Sequence, residues 1–552
     1  MTINKKRMES RKTEAMRAEA HTNFMGGPSY DITSPLLRLI CMSASSFFGE
    51  PMYYKGQRPE RTNRKLHSYS RVSRLSDREM NYLRKTLNAV DDYEWRNMTP
   101  QAAMEKAIDE ALDHDPVATL EWATTLRREE FIRVTPQVIL VRAAQHPKVR
   151  GTGLIRQYAP HIIARADEPS TQLAYLLAAF GKPIPNALKR AWADYLSKCN
   201  DYQLAKYRME SRVVKTVDVA NLAFGFGGKN QDGAVGKLLR GELALGGDNK
   251  TWESIISGGG TWEEAVEVMG HMALLRNIRN FLKSNVPLEL WLKKLVNTAA
   301  RGKQLPFRYL SAFNAIKDTD GTVPGHVGRV LDAIEECLDI SVGNLPVLNG
   351  RSLILTDNSG SAHGTPVSEL STMTVAQIGN LMGVLTGTIS DEGVVGVFGD
   401  RLEYMSVRKK ASIMDQTNKA NKIGRGIGGA TEHGIWLALD DAIKNKKHWD
   451  NIFVYSDMQA GHGGLFGSGS AYKDYLWGNK YGHSRYIDVP KLIADYRNKV
   501  NPKVNVFLVQ IAGYEDTLLP EYYDRTYIIG GWSGSILKFA KRMIDTADAY
   551  QQ

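Results

Sequence analysis

Asp357, Asn358, Ser359, Gly360 and Ser361 follow directly on the apolar run from Ser352 to Thr356. A carboxylate and two hydroxyls therefore stand at the end of a short strand whose Leu353, Ile354 and Leu355 predict burial on both faces. Such oxygen donors suit a hard divalent cation. Three oxygens do not complete its shell, and the chain offers two more at matching places. Thr431 lies in Gly428-Gly429-Ala430-Thr431-Glu432, where a helical pattern begins, and Asp457 ends a second apolar run that starts at Ile452. With neither thiolate nor imidazole in the set, Mg²⁺ is the expected ion and Ca²⁺ or Mn²⁺ the alternatives. Mg²⁺ usually keeps several waters, which leaves a position for a partner's carboxylate. The competing reading is that these side chains only cap helices and turns. Asp391 and Asp400, nearby, read as turn residues.

This arrangement resembles the metal-ion-dependent adhesion site of a von Willebrand factor A domain, with Asp357, Ser359, Ser361, Thr431 and Asp457 in the order of that family's ligands. The elements needed to position them follow from periodicity. Beyond Pro346 strands and helices alternate: strand Leu353 to Thr356, helix Thr374 to Thr386, strand Val394 to Phe398, helix Thr431 to Ile443 and strand Ile452 to Ser456. Helix Val489 to Tyr496, strands Val504 to Gln510 and Tyr527 to Ile529, and helix Ser535 to Thr546 complete the series. A βαβ series of this kind predicts a doubly wound, Rossmann-like parallel sheet.

Before residue 345 the pattern is helical, with segments Ala102 to Leu112, Pro116 to Leu126, Pro136 to Ala144, Gly153 to Tyr158, Ser170 to Phe180 and Asn186 to Ser197. Pro116, Pro136 and Pro185 fall at or just before helix starts, where a missing N–H costs nothing. Short helices with brief connections and one apolar stripe each predict stacked hairpins, an α-solenoid of the HEAT type. The fold class is thus α + α/β, with Gly343-Asn344-Leu345-Pro346 as the hinge. Residues 1–20 read as a flexible basic tail, 21–345 as the helical-repeat region and 346–552 as the sheet domain.

The 552 residues are 43% hydrophobic and 24% charged, a globular composition with room for several cores. Cys41, Cys199 and Cys337 are far apart, which supports neither a disulfide framework nor a zinc site, and a cytoplasmic protein is expected. Neither a signal peptide nor a membrane-spanning run is present in the pattern. Gly424-Arg425-Gly426-Ile427-Gly428-Gly429 has the spacing of a dinucleotide fingerprint, but polar Asp415 to Lys422 precedes it where a buried strand is required. Its glycines read instead as a flexible loop presenting Thr431. Without a Gly-x-Ser-x-Gly elbow, a His-Glu-x-x-His helix or a Walker loop, no enzyme is expected. Single histidines such as His271, His433 and His462 read as packed or surface groups, and Gly461 to Ser470 as a loop beside the cation.

A net charge of +11 points to a polyanionic partner. Lys55, Arg58, Arg61, Arg64, Lys65, Arg71 and Arg74 alternate with Tyr53, Tyr54, His67 and Tyr69, a composition suited to phosphates and unpaired bases, or simply a solvated loop. In Met272 to Phe281, Leu274, Leu275, Ile278 and Phe281 share one helix face while Arg276, Arg279, Asn280 and Lys283 line the other. In Leu305 to Phe313, Pro306 starts a helix and Arg308 and Ser311 face away from the apolar residues.

Met-Ala-Leu-Leu-Arg-Asn from Met272, Pro-Phe-Arg-Tyr-Leu-Ser-Ala from Pro306 and Phe24-Met25-Gly26-Gly27-Pro28-Ser29-Tyr30, followed by an A domain, resemble the TROVE module of the Ro autoantigen family. The resemblance spans about residues 22 to 540. It implies a ring of helical repeats that binds a Y-type small noncoding RNA on its outer surface. The hole of the ring would admit single-stranded 3′ ends of misfolded or decaying RNA. In bacterial relatives the Y RNA tethers the ring to the exoribonuclease polynucleotide phosphorylase, so the protein would be a monomeric, non-catalytic adaptor. The family's basic RNA-contact helix corresponds to Leu204 to Arg212, placing Lys206, Arg208, Arg212 and Lys215 among the contacts at helical spacing. A histidine common in the family's next helix is replaced here, Phe224 being the nearest equivalent. The contrasting reading is a protein-binding scaffold that captures an acidic ligand through its cation. A metal-dependent hydrolase would need a general base that the pattern does not supply.

Overall fold

The computed structural model describes residues 20–22, 28–30, 35–45, 100–243, 250–317, 325–364, 367, 373–429, 432–457, 476–478, 485–487, 489–511, 525–530 and 535–546. The basic run Lys55 to Arg74, Thr431 and the loop Gly461 to Ser470 lie outside them. Helices come first, after a short hairpin of β1 (Ala20–Thr22) and β2 (Pro28–Tyr30). They are α1 (Pro35–Ser45), α2 (Pro100–His114), α3 (Pro116–Arg128), α4 (Val134–Gln145), α5 (Leu154–Ile162), α6 (Glu168–Ala179), α7 (Asn186–Leu196) and α8 (Asp201–Lys206). Next come α9 (Thr216–Phe224), α10 (Ala234–Arg240), α11 (Trp252–Ser257), α12 (Trp262–Val268), α13 (His271–Lys283), α14 (Leu288–Gly302), α15 (Pro306–Lys317) and α16 (His326–Val342).

Local chemistry sets these boundaries. Asp115 accepts the N–H of Ala118 at 3.0 Å and Pro116 occupies the first position of α3, so the start of that helix is satisfied twice over. Pro136 differs from expectation: α4 begins at Val134, and the proline sits inside its first turn. Packing then runs between neighbours and next-neighbours, α3 on α4 and α5, α4 on α6, α5 on α7, and α6 and α7 on α9. The layers are pinned by a buried amide chain. Trp192 Nε1 donates to Gln172 Oε1 at 2.6 Å, Gln172 Nε2 to Gln137 Oε1 at 2.6 Å, and Gln137 Nε2 to the Ile162 carbonyl at 3.1 Å. Each polar group in this chain is paired, which is the condition for burying it cheaply.

After α16 come β3 (Leu348–Asp357), α17 (Gly360–Gly364), α18 (Val375–Ile389), β4 (Ser390–Phe398), β5 (Leu402–Ser406), α19 (Ile413–Arg425), α20 (Glu432–Lys444) and β6 (Asn451–Ser456). A small hairpin of β7 (Leu476–Gly478) and β8 (Arg485–Ile487), then α21 (Val489–Lys499), β9 (Asn505–Gln510), β10 (Thr526–Gly530) and α22 (Ser535–Thr546), complete the described chain. The six-stranded sheet has the order β10-β9-β6-β3-β4-β5 and is parallel except for β5. Two differences from expectation concern this half: Leu402–Ser406 forms an antiparallel edge strand, and Asp391 lies within β4, accepting the Gly350 N–H at 2.7 Å. Polar Asp415 to Lys422 is no strand, as its composition predicts, and belongs to helix α19.

Alternation along the strands divides the core. Ile354, Val395, Val397, Phe453, Tyr455, Phe507 and Val509 join a cluster that continues without a break into the helices before residue 343. Leu353, Leu355, Ile452, Val454, Val506 and Leu508 pack on the other face, against α20 and α21. Burying each such side chain is worth about 1.5–3 kcal/mol. Gly383 lets α18 approach β3, since a Cβ there would lie 2.5 Å from Thr356 Cγ2. Among the described residues no helix is long and apolar enough to cross a membrane.

The sheet half touches the helical array at both ends. At the late end α16 packs on α19, the Ile413 N–H donates to Asp339 Oδ1 at 3.3 Å, and Ser311 Oγ donates to Met373 Sδ at 3.2 Å. At the early end α1 lies against β10 and α22 as well as against α2 and α3. There Arg542 pairs with Glu129 at 2.7 Å, its guanidinium lies 5.5 Å from the Trp122 ring, and Lys538 Nζ donates to the Glu129 carbonyl at 2.6 Å. Phe131, in a left-handed conformation with φ 58°, receives Lys538 at 5.1 Å and Lys303, from the end of α14, at 4.9 Å. One ring thus bridges the beginning of the array, its late part and the last helix of the chain. Arg542→Glu, which sets a third carboxylate beside Glu129 and Glu130, should lower the melting temperature by roughly 2–4 °C for each kcal/mol lost, and Glu129→Arg should restore it. An unchanged melting curve in Arg542→Glu would contradict the role given to this junction.

Candidate metal centre and nucleic-acid interface

Strand order places the oxygen cluster. From β3 the chain moves to β4 and β5 on one side, and then to β6, β9 and β10 on the other. The carboxyl ends of β3 and β6 therefore flank the point where the sheet reverses direction, which is where open α/β sheets bind ligands. Thr356 pairs with Tyr455 in register, so Asp357 and Asp457 emerge on neighbouring strand ends, with exposures of 0% and 1%.

Asp357 Oδ1 accepts the Ser359 N–H at 2.8 Å and Oδ2 accepts Ser456 Oγ at 2.6 Å. Ser359 Oγ and Ser361 Oγ share a hydrogen bond at 3.1 Å, which gathers the hydroxyls of the loop. Burial pushes the Asp357 carboxyl above the usual carboxylate range, with the Ser456 and Ser359 hydrogen bonds opposing the rise. A fully buried carboxylate beside a second buried aspartate is costly unless positive charge is supplied. This donor set fits a hard divalent cation. Asp357, Ser359, Ser361 and Asp457 would hold it, and the ion would supply charge neutralisation and a position for an anionic ligand.

Thr431, the fifth expected ligand, lies outside the described residues, but the loop leading to it is held at the cluster. The Gly360 N–H donates to the Gly429 carbonyl at 3.1 Å. The loop is not the flexible one its glycines predict. A Cβ on Gly424 would lie 2.0 Å from Asn358 Oδ1, and one on Gly428, at φ 92°, would lie 2.0 Å from Asp400 Oδ2. Close packing accounts for these glycines, and Asn358 is itself locked by reciprocal amide bonds with Asn380 at 3.0 and 2.9 Å.

The expected RNA contacts separate into three groups. Helix α13 buries Leu274, Leu275, Ile278, Phe281 and Leu282 and leaves Arg276, Arg279 and Lys283 exposed, as its periodicity predicts. Arg308 is exposed on α15 with its guanidinium 5.7 Å from the Phe307 ring. The segment Leu204 to Arg212 departs from expectation. Helix α8 ends at Lys206, and Met209 takes φ 59°, so Arg208, Arg212 and Lys215 stand on a loop and do not recur at helical spacing. Arg208 and Lys215 converge on Glu210 at 2.8 and 3.3 Å and hold its carboxyl below the usual range, Lys215 more than Arg208. Arg208 also donates to the Leu243 carbonyl at 2.6 Å. Arg212 remains exposed, and Phe224 is half-buried against the core.

What the chain brings together is Lys206 and Arg276. Both line a hollow of about 510 Å³ with Arg165, Lys250, Tyr202 and Trp252. Lys206 Nζ lies 5.5 Å from the Tyr202 ring and 5.8 Å from that of Tyr207, while the Arg165 guanidinium lies 4.6 Å from the Tyr207 ring. Trp252 stacks on Trp262 at 6.4 Å. Arg165, Tyr202, Tyr207, Lys250 and Trp252 were not anticipated, because five separate segments contribute the lining and no local spacing joins them. Cations for phosphates and rings for bases are the two components of a single-stranded nucleic-acid contact.

His271 closes the floor. It is 4% exposed, with Nδ1 3.1 Å from the Leu295 carbonyl and Thr298 Oγ1 and Nε2 2.7 Å from the Tyr309 hydroxyl. Gly302 leaves room for the imidazole, since a Cβ there would lie 2.5 Å from its Cδ2. Burial lowers the imidazole's pKa, so it packs in the neutral form, as expected of a structural histidine.

With this geometry in place, the solved structures supply a match. A crystal structure of the Deinococcus radiodurans Ro (RSR) protein is similar over 79% of this chain and 93% of its own, with a TM-score of 0.57 and 15% sequence identity. The chain has the fold of a Ro protein. No model of a known family matches the sequence, and none of the curated proteins does. The likeness to the Ro protein is therefore one of fold.

Two outcomes are expected. Mn²⁺ should bind the wild-type chain in calorimetry and raise its melting temperature, and Asp357→Ala should remove both effects; retained binding by the variant would contradict the assignment. The His271 pKa is depressed on folding, so the unfolded chain takes the proton first. The stability this group confers is present above its ordinary value of 6.5 and is lost as pH falls below it. Melting curves recorded from about pH 7.5 down to about pH 5 should show this loss, and His271→Gln should flatten it.

Proposed function

We propose that this protein is an RNA-binding adaptor of the Ro type, which holds single-stranded RNA and does no chemistry on it. The observation that carries the reading is the hollow in which Lys206 and Arg276 face Tyr202 and Trp252. Its geometry suits an unpaired nucleotide, with the base against an aromatic ring and the flanking phosphates on the cations. The shared Ro fold and the excess of positive charge support it.

In this reading the helical array closes into a ring through the sheet half, a geometry supported by the contacts at both of its ends. Single-stranded 3′ ends enter the hole, and a Y-type RNA occupies the outer basic surface and links the protein to a 3′-to-5′ exoribonuclease. The sheet half acts as an A domain whose cation, Mg²⁺ by its donor chemistry, takes an acidic group of a partner.

Fluorescence anisotropy with labelled oligouridylate tests this. Wild-type affinity should fall steeply with salt, because each neutralised phosphate releases counterions. Lys206→Ala with Arg276→Ala should weaken binding about tenfold or more and reduce the salt slope by about 1.4, at roughly 0.7 for each of two lost contacts. The melting temperature should stay within about a degree, since exposed charges contribute little to stability. Unchanged affinity in the double variant would remove the hollow from the interface. A wild-type chain that binds no RNA at low salt would leave the cation site as the functional centre and return the scaffold reading.

A further inference from the structure

A second, larger hollow of about 990 Å³ opens between α5 and α7. Five cations line it, Arg128, Arg150, Arg156, Arg190 and Lys198, against a single carboxylate, that of Asp194. Among the described residues none of the five has an ion-pair partner. Arg128 spends its donors on the Pro160 and His161 carbonyls at 2.9 and 2.6 Å, and Arg150 on the Gln145 amide oxygen at 2.8 Å. Arg156, Arg190 and Lys198 make no ion pair with any described residue. Elsewhere in the array buried or half-buried arginines are met by acids, as Arg142 is by Glu105 and Asp109 and Arg127 by Glu168. Like charges gathered in a concave, low-dielectric wall reinforce one another's field and attract a polyanion.

The rest of the lining adds shape. Ile155, Ile163, Pro183, Ile184, Pro185 and Tyr195 form an apolar wall beneath the cations. Such a wall suits the sugar and base side of a nucleic-acid chain and is poorly matched to a fully polar anion. The two linings also follow one another along the chain. Ile163 and Ala164 line the larger one, and the next residue, Arg165, lines the smaller. Lys198 closes the larger one, and Tyr202, just across the turn between α7 and α8, lines the smaller.

We infer that the hollow between α5 and α7 is a second RNA-binding site, which takes the phosphodiester backbone of the same strand whose unpaired nucleotide occupies the Trp252 hollow. The strand crosses between them over the segment Ile163 to Arg165. This rests on the RNA-binding function proposed above and extends it from one nucleotide pocket to a track.

Length dependence tests it. Oligouridylates of about 4 nucleotides fill one hollow, and those of about 16 reach both. Arg156→Gln, Arg190→Gln and Lys198→Gln together should weaken binding of the long oligomer about tenfold or more and change that of the short one less than about twofold. The salt slope for the long oligomer should fall by about 2, at roughly 0.7 for each of three lost contacts. Asp194→Asn, which removes the only opposing charge, should tighten the long oligomer and serves as an independent variant should the triple one misfold. Equal affinity of wild type and both variants for the long oligomer would overturn the second site. So would an equal loss for both lengths, which would mean diffuse attraction and no second site. A wild-type chain that binds neither oligomer would overturn the proposed function as well, which distinguishes the two failures.

Discussion

The contact on which the architecture depends is the one at Phe131. A stack of helical hairpins interacts mainly with its neighbours, so its curvature is set repeat by repeat and its two ends are left uncovered. Here Lys303 and Lys538 meet the same aromatic ring, and Arg542 pairs with Glu129 beside it. Each contact alone is worth on the order of 1 kcal/mol or less. Their value lies in position, since they join three distant parts of the chain around a half-exposed ring, outside the apolar cluster that runs from Leu39 to Met543. The sheet half thereby covers both ends of the array, and the relative placement of early and late helices is fixed.

That fixed placement explains the basic surface. Arg165, Lys206, Lys250 and Arg276 come from widely separated parts of the sequence, yet they line one hollow with Tyr202 and Trp252. Mutual repulsion among such groups costs stability, and a fold selected for stability alone would intersperse carboxylates, as it does around Arg142 and Arg127. Asp167 meets Arg165 and Glu253 lines the smaller hollow, yet cations outnumber carboxylates in both linings, which speaks for a polyanionic partner. The buried Asp357 and Asp457 make the opposite choice, concentrating negative charge where a cation can compensate it.

Much of the sheet half could be read from the sequence, because a parallel strand buried on both faces is a short apolar run and its terminal Asp357 or Asp457 follows at once. The antiparallel edge strand Leu402–Ser406 is not legible because its exposed Glu403 and Tyr404 break the apolar run. Helix α13 is legible because its period leaves no alternative, whereas the end of α8 is not: the left-handed turn at Met209 has no glycine to announce it. The glycines of 424–429 signalled flexibility but serve close packing against Asn358 and Asp400. The hollows themselves could not be read at all, since their linings are assembled by tertiary contact and carry no spacing along the chain.

The most direct measurement is photocrosslinking of a short, uridine-rich single-stranded RNA to the full chain, with the attached peptides mapped by mass spectrometry. Crosslinks at Tyr202, Tyr207 or Trp252, lost when excess unlabelled strand is added, are the result this account predicts. Efficient crosslinking confined to other peptides, with these three aromatics unmodified, would contradict it.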